Sequence, residues 1–150
     1  MPKFGIESLT NLAECHPDLQ RLFEKVIEAW DCSIVDGKRT LAEQAKNVAK
    51  GVSKTMDSKH LQQPDGYSHA VDAVPYPQPD WNAVEKSIAA VKHLDPTLQI
   101  FRFYAFSGFV AGVAHAMGIP VRQGVDWDGD RDYGDHSFID LPHTELKKDA

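Results

Sequence analysis

Two clusters of polar side chains in this chain have the types and spacing to share one divalent cation. The first reads Ser58-Lys59-His60 and, after a short polar insert, His69-Ala70-Val71-Asp72; the second reads Asp140-Leu141-Pro142-His143-Thr144-Glu145. Two imidazoles and a carboxylate hold zinc tetrahedrally and leave a fourth position for water. Zinc lowers that water's pKa to roughly 7, and a nearby carboxylate outside the ligand set can take its proton. That set of parts implies hydrolysis.

Strand geometry helps to choose among the ligands, because side chains alternate faces with a period of two. If residues 69 to 74 form a strand, Ala70, Asp72 and Val74 share one face, and His69, Val71 and Ala73 share the other. His69 then points away from Asp72, whereas His60 arrives from a loop and is free to reach it. His60 is therefore the preferred ligand, and His69 is left to pack or to anchor a loop. In the second cluster Pro142 interrupts any ladder, which suits a bend or a strand edge. That bend can bring Asp140 to the zinc-bound water without making it a ligand; the alternative is a turn or cap residue. His143 and Glu145 would share a face, with Glu145 either a partner to an imidazole or a solvated strand residue. Arg39 either points into a cleft, where it would steady a developing oxyanion, or makes a surface ion pair. His16, His93, His115 and His136 show no partner spacing.

These residues need elements to hold them. Leu19, Leu22, Phe23, Val26, Ile27 and Trp30 recur at helical spacing and predict a helix from Pro17 to Trp30. Ser33 to Asp36 reads as a short strand with a turn at Asp36-Gly37. Thr40 with Glu43 forms a capping box for a helix from near Leu41 that stops before Gly51. Lys54 to Tyr67 reads as a loop, His69 to Val74 as a buried strand. Asp80 or Asn82 would cap a helix through about His93, and Asp95-Pro96 would open a buried helix that Gly118 closes beyond Met117. Val121-Arg122 and Leu141 to Leu146 read as two further strands. The expected class is α+β: a small antiparallel sheet carrying the zinc site, packed by helices, in one domain over residues 1–150.

Composition narrows the setting. A net charge of -6 with scattered Lys and Arg argues against nucleic acid. Cys15 and Cys32 lack metal or redox spacing and read as buried reduced thiols. The first residues lack the basic start and long apolar run of a secretory signal. The apolar stretch from Ile100 to Met117 is interrupted by Arg102 and His115, so membrane insertion is not expected. The acidic run Asp126 to Asp132 begins like a calcium loop, but Arg131 stands where the loop requires Gly and Ser137 where it requires Glu. A solvated, turn-forming loop is the default there, with calcium as a possible ligand.

The order Ser58-Lys59-His60, His69-Ala70-Val71-Asp72 with Val74-Pro75-Tyr76, and Asp140-Leu141-Pro142-His143-Thr144-Glu145-Leu146 resembles the D-Ala-D-Ala carboxypeptidase-like zinc metallopeptidases. Asp36 to Thr40, Ala45 to Gly51 and Gly124-Val125-Asp126-Trp127 are most similar to the phage endolysins among them that act as L-alanyl-D-glutamate peptidases. The resemblance implies zinc ligands His60, Asp72 and His143, Asp140 as general base, and Arg39 as a substrate or transition-state contact. It further implies peptidoglycan as partner. The missing export signal fits a lysin made in the host cytoplasm and released through a holin lesion, and a cytosolic cell-wall recycling enzyme would look the same, with a monomer expected in either case. Leu61 to Ser68 lengthens a connection that the family keeps short, and is expected to reshape the cleft rim. Two other functions stay open: a D-Ala-D-Ala carboxypeptidase or dipeptidase, and a zinc-stabilised binding module without turnover.

Overall fold

A computed structural model describes residues 1–77 and 100–147. The helix expected between Asp80 and His93, and the opening at Asp95-Pro96, lie outside the described residues. The described part is α+β. Helices α1 (Ile6–Ala13), α2 (Pro17–Ile27) and strand β1 (Cys32–Asp36) lead to α3 (Leu41–Ala49) and β2 (Ala70–Pro75). Helix α4 (Ile100–Ala116) and strands β3 (Val121–Gln123) and β4 (His143–Leu146) follow. The strands form one sheet in the order β1-β2-β4-β3, with every neighbouring pair antiparallel.

One face of the sheet carries the core. Leu19, Leu22, Phe23 and Val26 line a fully buried stripe of α2. They join Phe106, Val110 and Ala114 of α4 over Ile34, Val71, Ala73 and Leu146. Alternation along β2 and β4 therefore sends Asp72, His143 and Glu145 to the opposite face. Burying one Leu or Phe is worth roughly 1.5–3 kcal/mol, so this face fixes the register on which the polar face depends.

Local signals account for most element ends. Thr40 Oγ1 accepts from the Glu43 N–H at 3.2 Å, and the Glu43 carboxylate accepts from the Thr40 N–H at 2.7 Å, completing the capping box. Gly118, at φ 67°, closes α4: its N–H donates to His115 and that of Ile119 to Ala114, the paired bonds of a left-handed helix stop. Helix α2 ends at Ile27 rather than Trp30, because Trp30 leaves the helix to pack its ring on Phe106 and Phe109. Strand β4 starts at His143 rather than Leu141. Leu141 and Pro142 form a turn, in which the His143 N–H donates to the Asp140 carbonyl at 3.2 Å.

Helix α1 has no counterpart in the sequence reading. It covers the exposed edge of β1: Ser8 Oγ accepts from the Ile34 N–H at 3.0 Å, and Asn11 Nδ2 donates to the Ile34 carbonyl at 3.0 Å. An unpaired sheet edge is thereby closed by side chains. Gly37 follows β1 against this helix. A Cβ there would lie 3.1 Å from the Asn11 carbonyl carbon and closer still to its oxygen. Gly37→Ala is expected to destabilise the fold by about 1–3 kcal/mol, read as a lower denaturation midpoint at unchanged slope.

Candidate metal centre

Three elements converge on one point of the polar face. Asp72 and His143 are direct cross-strand partners of β2 and β4, which sets their side chains side by side. His60 arrives from the loop after α3, with its carbonyl accepting from the Arg39 N–H at 2.8 Å. His60 Nε2 lies 3.1 Å from Asp72 Oδ1 and 3.1 Å from His143 Nδ1, and His143 Nδ1 lies 3.2 Å from Asp72 Oδ1. Metal–nitrogen bonds of about 2.0–2.1 Å at tetrahedral angles place ligand atoms about 3.3 Å apart, close to this triangle. All three residues are buried.

The outward atoms explain why the inward ones suit a cation. His60 Nδ1 lies 2.6 Å from the Gly37 carbonyl, an acceptor only, so it carries the proton and leaves Nε2 a bare lone pair. His143 Nε2 lies 3.0 Å from Glu145 Oε2, so that in the neutral ring Nδ1 is the bare nitrogen in the same way. Asp72 Oδ2 accepts from Arg39 Nη2 at 2.9 Å, and Oδ1 faces the triangle. Three electron-rich atoms therefore point at one position, and a metal ion satisfies all of them. Of the two roles open to Glu145, the buried imidazole partner is the one seen.

Electrostatics follow from this packing. Burial pushes the Asp72 carboxyl up, but the imidazoles of His60 and His143 outweigh it and hold Asp72 well below the usual carboxylate range. Burial lowers His143, yet its hydrogen bonds to Asp72 and Glu145 raise it to about 9. Asp140 is raised to about 6 by burial and by the charge of Asp72, against the pull of His143, His60 and Arg39. Asp140 lines the same cleft of about 950 Å³, but it stands outside the group of atoms close enough to share one ion. Gly124 backs it: a Cβ there would lie 2.8 Å from the Asp140 Cβ.

Arg39 lines the cleft and is far from free. Its Nε donates to Asp36, Nη1 to Gln44 Oε1 at 3.3 Å and Nη2 to Asp72. Of the five N–H donors of a guanidinium, two have no partner among the described residues. Gln44, fully buried in α3, also donates to Ser53 Oγ at 2.8 Å and the Thr55 carbonyl at 2.6 Å. It thus ties the arginine to the cleft wall formed by residues 52–60. Nothing in the helical pattern marked Gln44; a polar residue on the inward face of a capped helix was the available signal.

Strand β2 begins at Ala70 rather than His69, and His69 lies in the bend before it: its Nε2 pairs with Asp65 Oδ2 at 2.6 Å, and its ring meets that of His16 edge-on. His16, Asp65 and His69 lie close together but do not suit a metal. His16 Nδ1 accepts from the Asp18 N–H at 3.1 Å, capping α2, so its proton sits on the nitrogen that faces Asp65. The insert Leu61 to Ser68 is pinned here, with the His16 N–H donating to the Ser68 carbonyl and the Ser68 N–H to Glu14. None of its residues lines the cleft. The expectation that it reshapes the rim is overturned.

In the acidic loop Asp126 accepts from the N–H groups of Gly129 and Arg131, Asp130 from Asp132, and Asp132 from Gly134. These turns account for its shape, and the calcium expectation gains no support from them. Both thiols are buried, and burial first of all pushes Cys15 and Cys32 up to about 12, which leaves them inert. Among the described residues no helix is long and apolar enough to cross a membrane.

Known proteins match this arrangement over almost its full length. The L-alanyl-D-glutamate peptidase of Escherichia phage T5 is 32% identical over 154 residues, covering 96% of this chain and 97% of that protein. The crystal structure of the Serratia marcescens L-Ala D-Glu endopeptidase ChiX superposes with a TM-score of 0.66 at 25% identity, covering 97% of this chain and 90% of that one. The profile of the phage L-alanyl-D-glutamate peptidases matches residues 1–147. With the profile matched over residues 1–147, this chain belongs to the phage L-alanyl-D-glutamate peptidase family.

Proposed function

We propose that this protein is a single-domain zinc peptidase that hydrolyses the L-alanyl-D-glutamate bond of the bacterial peptidoglycan stem peptide. The observation that carries the reading is the triangle of His60, Asp72 and His143, in which both outward imidazole nitrogens are held by acceptors. These three residues would hold the zinc, which when bound acts as a Lewis acid and brings the pKa of its water to roughly 7. Asp140 takes the proton of the attacking water as oxygen adds to the scissile carbonyl carbon. It returns that proton to the leaving amine as the carbon–nitrogen bond breaks. Arg39 lines the cleft, where its two remaining donors would hold the carbonyl oxygen as it gains charge, while the rest of the guanidinium keeps Asp72 in place.

Metal binding has a pH signature. With His143 raised to about 9, the metal-free protein carries a proton there at neutral pH, and a cation must displace it. Zinc binding at pH 7 is expected to release about one proton. Apparent affinity should then fall about tenfold for each pH unit below 9 and level off above it. Calorimetry in buffers of different ionisation enthalpy reads the proton count.

The test of function is digestion of purified peptidoglycan, followed by mass analysis of the new termini with and without a chelator. New amino-terminal glutamate supports the reading; loss of terminal D-alanine would assign the carboxypeptidase reaction instead. Absence of any product with zinc loaded would leave a binding module. As a relative of a phage enzyme, the protein would act as a monomer and reach the wall through a holin lesion during host lysis.

A further inference from the structure

Arg122 stands opposite Glu145 in the β3–β4 ladder, and that register puts a guanidinium on the carboxylate that holds His143. Its Nε donates to Glu145 Oε1 at 2.9 Å, and its Nη2 donates to the same oxygen. The other oxygen, Oε2, is left to accept from His143 Nε2 at 3.0 Å. A second route runs through Trp127: the guanidinium carbon lies 5.4 Å over its ring, and that ring lies 5.3 Å from the ring of His143. Glu145 is buried, whereas Arg122 is partly open to the cleft.

Two N–H groups of a rigid fork converging on one oxygen of a buried carboxylate restrain its rotation. Its second oxygen then has a fixed direction, and so does the imidazole that donates to it. We propose that Arg122 is a positioning residue for the metal centre: through Glu145 it aims the His143 Nδ1 lone pair at the ion. This rests on the zinc reading above. The plain alternative is that Arg122 only pins β3, a three-residue edge strand, to β4.

The two roles separate in a zinc-competition titration of the full chain. Arg122→Gln is expected to weaken zinc binding about 10- to 100-fold, the range for a lost partner of a metal ligand. Glu145→Gln should weaken it by a similar factor, and the Arg122→Gln/Glu145→Gln double variant should be no weaker than Glu145→Gln alone. Unchanged affinity in Arg122→Gln, or factors that multiply in the double variant, would overturn the proposal. So would a melting temperature lowered equally with zinc and with chelator, the mark of a strand merely unpinned. If Arg122→Gln does not fold, Arg122→Lys decides: a lysine keeps the charge but not the fork, so intermediate affinity is expected, and wild-type affinity would refute the inference. A wild-type protein that binds no zinc would instead sink the metal reading itself.

Discussion

Asp140→Asn is expected to lower turnover of purified peptidoglycan by about 10²- to 10⁴-fold while the protein still binds zinc. The substitution keeps shape and volume while removing the charge and the ability to accept a proton. Asp140 is suited to that task by where it sits. It shares the cleft with His60, Asp72 and His143 yet lies outside the set able to bind one ion together. Burial and the charge of Asp72 raise its carboxyl to about 6, so it is a stronger base than an ordinary aspartate and still ionised at neutral pH. A bound cation would draw that value down again, which favours the ionised form further. The turn at Leu141-Pro142 and the close approach of Gly124 hold it in place. Zinc content and product mass are read on the same preparation. Loss of zinc along with activity would make Asp140 a ligand, and undiminished turnover would move the base elsewhere.

The roles of single residues were legible where they depend on one strand or one helix, and hidden where they depend on register. Alternation along residues 69 to 74 separates His69 from Asp72, and the two are apart in the structure, although His69 lies in the bend before β2, where it pairs with Asp65. The capping box at Thr40 and the glycine stop at Gly118 are likewise local, and both form. Which residue of β4 faces which residue of β2 or β3 is a non-local fact. The pairs Asp72 with His143 and Glu145 with Arg122 follow from how the core face of the sheet packs on α2 and α4. No spacing in the chain encodes them, so Glu145 stayed open between two roles and Arg122 drew no attention. Helix α1 was missed for a related reason. It buries only Ser8 and Leu12, too little to mark a helix face, and its place comes from hydrogen bonds to the edge of β1. The insert misled because length in sequence says nothing about side: pinned by His16 and Glu14, it lies away from the cleft it was expected to shape.

His143→Ala should abolish both zinc binding and turnover, and His69→Ala should abolish neither. The contrast tests the ligand set more sharply than either variant alone. Removing His143 takes away one corner of a buried triangle and leaves Asp72 with His60 as its only imidazole. It also strips the buried Glu145 of one of its two partners. Two remaining ligands do not make a structural or catalytic zinc site, so activity should fall to background, as it should in wild type treated with chelator. Stability reads the same event independently. A ligand held at 100 times its dissociation constant stabilises the folded state by about 2.7 kcal/mol, and each kcal/mol shifts the melting point of a domain of this size by roughly 2–4 °C. Saturating zinc should therefore raise the wild-type and His69→Ala melting points by about 5–10 °C over their chelated forms, and leave His143→Ala unmoved. The His69–Asp65 pair is about a quarter to two-fifths exposed, so solvent screens it and its loss should leave the fold intact. If His69→Ala loses the zinc response while His143→Ala keeps it, the ion is held at His69 instead, and the assignment of His60, Asp72 and His143 fails with it.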